Sequence, residues 1–427
     1  MKLDNLINKT IQKASDSNKD ILLRYSQHIP WNEEHSISYM LNKKNMFYLK
    51  FPGNNKTIIG GNANAHKNKF NKYDIISNFK EDKILCFSIH SFDKKRESHS
   101  PWDGISREES LLPEITIIHT DRKTEIIFTI LIAKETKKEM ILEKINQELI
   151  DFKNHKININ NKVASYKKIF TPNKTKYLKK IDSVLSELDE KSFTKIVLSK
   201  KEEYSFDKPL NIKKIIKDIN SRYPQCYNFI YMVSNNIYFI GSTPEKLIEI
   251  NKNKISSDAI AGTAGSLKGL YSMKNNTEHQ YVIEYIKNYF NQICNLVRIS
   301  KTKELDLGYT LHQKTVISGK LKKDEHILKI LETLYPTPAL AGNPKNKAIK
   351  RIREIEDFDR GYYGGALGIN TNNGNGIYIV PIRSLLIRND KIHFFSGSGI
   401  VKNSDSLKEW EETEIKLQHL KSIIGLK

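Results

Sequence analysis

Cysteine is scarce in this chain. Three residues in 427, Cys86, Cys226 and Cys294, lie far apart and form no Cys-x-x-Cys pair. That excludes a secreted-style disulfide framework and points to a reducing cytoplasm. Long hydrophobic runs are also missing. The longest, Ile126–Ala133 (IIFTILIA), has the length of a buried strand, well short of the ~20 residues of a spanning helix. No membrane partner is therefore expected. The first residues, MKLDNLINKTIQKAS, mix charges and lack the apolar centre of a signal peptide. Acid is in deficit, with 49 Asp+Glu against 70 Lys+Arg and a net charge of +21. Such an excess suits a nucleic-acid partner, or a positive field drawing in a small anion. Most of it is Lys, however, travelling with Asn and Ile in tracts such as KNKFNKYD and NINNKVASYKK. Nucleotide bias writes that mixture over any protein, so no nucleic acid is expected.

What is present is enough for a large core: 38% hydrophobic residues, with 20 Tyr and 17 Phe. The length implies two lobes or one large intertwined domain. Residues 1–165 carry strand-like runs at Ile84–Ile89, Ile115–His119 and Ile126–Ala133, separated by polar loops such as Lys94–Ser106. They show no internal repeat. From Lys174 the periodicity sharpens. Tyr177, Ile181, Val184, Leu185 and Leu188 follow a helical period, and KIVLSK opens a strand at Lys195. A hairpin turning at Asn235–Asn236 follows, then a long helix from Glu278. Another helix is capped by Asn343–Pro344, and a last helix begins near Ser406. Hairpin-linked strands mixed with helices indicate an α+β fold with a largely antiparallel sheet.

The acid deficit has one local exception. Glu409, Glu411, Glu412 and Glu414 fall within six residues of the last helix. At 100° per residue, Leu407, Trp410, Leu417, Leu420 and Ile424 form an apolar stripe. Glu409, Glu412 and Lys416 flank it on one side, and Glu411 and Glu414 on the other. Two readings stand. Ser406-x-x-Glu409 is a capping box and Glu412–Lys416 an ordinary i, i+4 pair. Equally, two carboxylates with waters are what Mg²⁺ takes, and Glu278 at the start of an apolar helix is a further donor.

Nine stretches in order then carry a resemblance: KIVLSK, GSTPEKL, AIAGTAGS, TEH, YPTPALAGNP, IEDFDRGYYGGALGIN, PIRS, SGSGIV and EWEETEIKL. Together they resemble the chorismate-binding enzymes, which include isochorismate, salicylate, anthranilate and aminodeoxychorismate synthases. The resemblance runs from about Tyr166 to the end, so residues 166–427 are expected to form the catalytic region and 1–165 a variable N-terminal lobe. It implies an α/β arrangement of two packed, largely antiparallel sheets flanked by helices, with the site in the cleft between them. It also implies chorismate as substrate and Mg²⁺ as cofactor. By resemblance, Glu278 and Glu412 are direct metal ligands, Glu409 stands nearby through water, and Glu411 and Glu414 are surface. Gly262 and Thr263 flank the ring carboxylate. Arg383 pairs with the enolpyruvyl carboxylate, and Gly397, Gly399, Lys416 and Tyr363 complete that wall. Lys195 is the base that activates water, and Glu245 the acid that protonates the departing hydroxyl.

Relatives that use ammonia typically lack the lysine at Lys195, and YPTPALAG resembles the isochorismate synthase form of that element. The expected activity is therefore isochorismate synthesis in a monomer, feeding menaquinone, a siderophore or salicylate. Salicylate synthase comes second, and anthranilate-type chemistry or a non-enzymatic nucleic-acid binder are further alternatives. The sequence departs from the family at Asn275 (often an acid), Tyr335 (often His), Lys200 (usually Arg) and AGTAGS, which lacks a frequent Arg.

Overall fold

The computed structural model describes residues 3–53, 56–65, 74–77, 85–157, 164–189, 193–308 and 310–426. Ile84, the first residue of one expected strand, lies outside them. The described residues form a thirteen-stranded and a ten-stranded sheet, with helices on their outer sides. The α+β expectation holds. Ladders in both sheets are antiparallel, except that Ile21–Ile29 runs parallel to Asp74–Ser77. The sheets meet through aromatic side chains. Phe47 of the larger sheet stacks on Phe87 of the smaller at 4.5 Å, and Tyr231 packs on Phe87 at 5.2 Å. Each such ring withdrawn from water contributes about 2–3 kcal/mol. No helix among the described residues is long and apolar enough to cross a membrane.

Strands from both sides of residue 165 share both sheets. Phe47–Lys50 pairs with Tyr227–Ser234, and Leu85–His90 pairs with Ala366–Thr371. Ser88 bonds to Asn370 across 282 positions.

Several elements differ in detail from their sequence-based expectation. The long helix begins at Met273, not Glu278, because the Ser272 side chain accepts from Asn275 N–H and caps it. It ends at Ile293, and Cys294–Ile299 turns into a strand beside Leu311–Leu321. Asn343 joins a short strand against Lys195, so Pro344 alone stands at the cap of Lys345–Ile355. In the last helix, Ser406–Lys421, the cap is Asp405, which accepts from Lys408 N–H at 2.9 Å. Leu407 is exposed rather than part of the buried stripe. The Lys94–Ser106 loop is anchored, with Trp102 buried in the aromatic core. Gly361 admits it: at φ +53, a Cβ there would stand 2.1 Å from the indole.

The strand Lys195–Phe206 lies between Lys391–Ile400 on one side and two short partners on the other. Those partners leave the middle of its outer edge bare, and a buried ion pair covers it. Ser199 N–H donates to Glu356 Oε1 at 2.7 Å, and Arg360 Nη2 donates to Val197 O at 2.7 Å. Arg360 also donates to Glu356 Oε2 and to Leu340 O, and stacks over Phe92 at 4.2 Å. Both partners are 3% exposed. Removing one leaves the other charged and dry. Glu356→Ala is therefore expected to cost about 3–5 kcal/mol, read as a lower urea midpoint. A midpoint within error of the unmodified protein would show that the pair does not secure this edge.

Candidate active site

The Lys195 strand and the Lys391–Ile400 strand are in register as Val197↔Gly399 and Ser199↔Gly397. This pairing sets two glycines beside the lysine. Gly399 is required there, because a Cβ would stand 2.1 Å from Glu278 Oε1 and 3.1 Å from Lys195 Cε. Glu278 arrives from the other layer, on the second turn of a helix packed against Lys254–Ala264. Lys195 Nζ lies 2.9 Å from Glu278 Oε1 and is fully buried. Burial lowers the Lys195 pKa below its ordinary value, with Glu278 pulling the other way.

One cleft between the layers is lined by Glu245, Gly262, Thr263, Glu278, Tyr363, Arg383, Gly397, Gly399 and Lys416. All were expected from sequence. The rest of the wall is largely apolar, with Val197, Ile260, Leu340 and Phe395, and carries His312 and Ser396 as well. Glu245 sits just after the strand Ile237–Thr243 and is 2% exposed. Burial pushes its pKa up to about 8, with Asp258 adding to the effect. It carries a proton at pH 7, as a donor acid must.

Arg383 adopts φ +50, unusual for a side-chain-bearing residue. Its Nη2 donates to Thr310 Oγ1 at 2.7 Å and to His312 Nε2 at 2.6 Å, and Nη1 stands 3.4 Å from His419 Nδ1. Among the described residues it has no carboxylate partner, so its buried charge suits an incoming anion. His312 receives that bond as a neutral ring, because burial holds its pKa well below the usual value. Thr310, His312 and His419 were not anticipated, since nothing local in "YTLHQK" or "LQHLK" marks them.

Beside the cleft, three carboxylates surround the ammonium of Lys274. Nζ lies 3.0 Å from Glu409 Oε1, 3.6 Å from Glu412 Oε2 and 3.8 Å from Glu278 Oε2. Lys416 pairs with Glu412 at 2.7 Å and donates to Gly397 O at 3.0 Å. The carboxylates differ sharply. Burial, and then Glu412, raise Glu409 to about 7. Burial would raise Glu412 too, but Lys416 and Lys274 override it and hold it at about 2. Glu409 Oε2 is buried without a hydrogen-bond partner. As they stand, no three or more such side chains among the described residues are arranged to hold a metal ion. An all-oxygen set gathered about one cation and retaining an unused oxygen nonetheless fits a hard divalent ion that keeps waters and substrate oxygens in its shell. Lys274 was missed in the sequence, although its i−4 spacing from Glu278 was visible.

Two expectations change. Glu414 is not plain surface, because it pairs with the buried Lys200, whose ammonium stands 3.6 Å over the Trp410 ring. Asn275, where the family often has an acid, instead ties loop to helix by donating to Gly269 O at 2.9 Å and Thr263 O at 3.3 Å. It fills the space beside Gly262, which adopts φ +73.

Residues 9–425 match the family model described as chorismate binding enzyme. The chain belongs to the chorismate-binding enzymes. It is 28% identical to the isochorismate synthase MenF of Bacillus subtilis, over 97% of this chain and 96% of that one. It is 30% identical to the isochorismate synthase EntC of Escherichia coli, over 54% of this chain and 62% of the relative. Among solved structures, the menaquinone-specific isochorismate synthase MenF of Escherichia coli aligns with a TM-score of 0.77 at 18% identity, covering 98% of this chain and all of that one. A structure titled as a putative 2,3-dihydroxybenzoate-specific isochorismate synthase, DhbC from Bacillus anthracis, gives 0.71 at 19% identity, over 92% and 100%. At these identities the structural likeness concerns the fold.

The buried acid makes a stability prediction for this chorismate-binding enzyme. Glu245 titrates near 8 when folded, against an ordinary value of 4.5. Between those values the folded state keeps a proton that the unfolded state releases, so its contribution is lost as pH rises. Glu245→Gln removes that loss. The melting temperature of the variant relative to the unmodified protein should climb by a few degrees from pH 5 to pH 8, then level off. Parallel melting curves across that range would contradict the raised value.

Proposed function

We propose that this enzyme is an isochorismate synthase, interconverting chorismate and isochorismate by adding water at C2 and releasing the C4 hydroxyl as water. The observation that carries the reading is two buried groups with inverted tendencies, Glu245 lining the cleft and Lys195 beside its Gly399 wall, against Glu278. Burial favours a neutral lysine at Lys195 and a protonated carboxyl at Glu245. Lys195 Nζ takes a proton from water, and Glu245 gives its proton to the departing hydroxyl. Arg383 pairs with the enolpyruvyl carboxylate, and its guanidinium fork suits that anion. Backbone N–H groups at Gly397 and Gly399 come close to it, with Tyr363 and Lys416 closing the wall. Gly262 and Thr263 flank the ring carboxylate.

Glu278 and Glu412 would hold Mg²⁺ directly and Glu409 through water. The ion, when bound, supplies positive charge to the ring carboxylate. Three buried free thiols support a cytoplasmic setting, and the enzyme acts as a monomer on a small, freely diffusing substrate.

The test is incubation with chorismate, with and without Mg²⁺ and without ammonium, followed by chromatography and NMR. An Mg²⁺-dependent mixture of chorismate and isochorismate is expected. Salicylate with pyruvate would move the assignment to salicylate synthase, and absence of any product would sink the enzyme reading. Lys195→Ala and Glu245→Gln should each lower kcat by about 10²–10⁴-fold with circular dichroism unchanged. Glu412→Gln should chiefly raise the Mg²⁺ concentration needed. Full turnover by Lys195→Ala would remove the lysine from its role.

A further inference from the structure

Three lysines and three carboxylates meet beneath the cleft, and two of those lysines are fixed. Lys195 is enclosed against Glu278 and the Gly399 backbone, with no exposure. Lys416 is tied to Glu412 and to Gly397 O. Lys274 differs in two respects. It alone of the three reaches all three carboxylates, at 3.0, 3.6 and 3.8 Å. It also occupies the first turn of the helix Met273–Ile293, where the helix dipole disfavours a cation. The Lys274 side chain is itself 17% exposed, so part of it already reaches solvent.

A magnesium ion binds carboxylate oxygen at about 2.0–2.1 Å. An ammonium within 4 Å of all three carboxylates fills the space such an ion needs, and it repels the ion besides. We propose that Lys274 is a built-in counter-ion that holds Glu278, Glu409 and Glu412 together in the metal-free enzyme and must swing outward for a divalent cation to enter. This rests on the magnesium reading above. The lysine is then a positioning residue, and metal affinity is set by an exchange of cations.

The experiment compares Mg²⁺ binding by titration calorimetry to the unmodified full-length protein, Lys274→Met and Lys274→Arg. Methionine keeps much of the volume and drops the charge, so it should bind Mg²⁺ at least tenfold more tightly. It should also melt lower in EDTA and gain more from added Mg²⁺. Arginine keeps the charge on a larger head and should bind Mg²⁺ no more tightly than the unmodified protein. A second readout needs no variant: trace acetylation followed by mass spectrometry should label Lys274 at least threefold faster in Mg²⁺ than in EDTA. If the unmodified protein binds Mg²⁺ but methionine binds no tighter and the labelling does not change, the counter-ion proposal fails and the magnesium reading survives. If neither the unmodified nor the methionine protein binds a divalent ion, both fail.

Discussion

The contact between Lys195 and Glu278 joins the two halves of the molecule's chemistry. The lysine rides on a strand of the larger sheet, and the glutamate on a helix packed against the smaller one. Burial pushes the lysine toward its neutral form, and Glu278, delivered by the other layer to 2.9 Å, opposes that pull. Packing between the sheets, the Phe47–Phe87 stack included, therefore sets the electrostatics of the cleft. Any shift between layers would separate the pair and upset the balance of burial and Glu278 that sets the lysine's proton.

Environment divides the acids by role. At Glu245, burial and then Asp258 outweigh the opposing charges of Lys195, Lys314 and Lys416, so it keeps its proton. Glu412 is part-buried, and two lysines hold it ionised. Glu409 lies between them, raised by burial and by its neighbour's charge. One residue type thus supplies a proton donor, an anion and an intermediate case within one site.

Much of this was legible in the sequence because short motifs carry their own geometry. The glycines of SGSG and the Arg of PIRS line the cleft, and Glu409 and Glu412 of EWEE stand beside it about Lys274. The helical wheel correctly separated Glu409 and Glu412 from Glu411. It misjudged Glu414 and Leu407, because a wheel does not know that Lys200 comes from a distant strand or that nothing covers the first turn. Thr310, His312 and His419 were illegible for the same reason. Their significance comes from reaching Arg383 across two elements, and no local period encodes that. Caps were displaced by a residue or more because several polar side chains near each helix start could serve, and only the tertiary approach angle selects one.

The interleaving of early and late strands bears on how the chain is made. Leu85–His90 pairs early with Glu108–Leu112, but its other edge stays open until Ala366–Thr371 has been synthesised, and Ser88 meets Asn370 282 positions later. Until then the nascent chain carries strand edges and an aromatic face with nothing to cover them. Sheets assembled from such distant segments form slowly, and their unpaired edges invite association with other chains. Synthesis of this enzyme therefore has a long interval, from the emergence of Leu85–His90 to that of Ala366–Thr371, in which one open sheet edge is exposed to other chains.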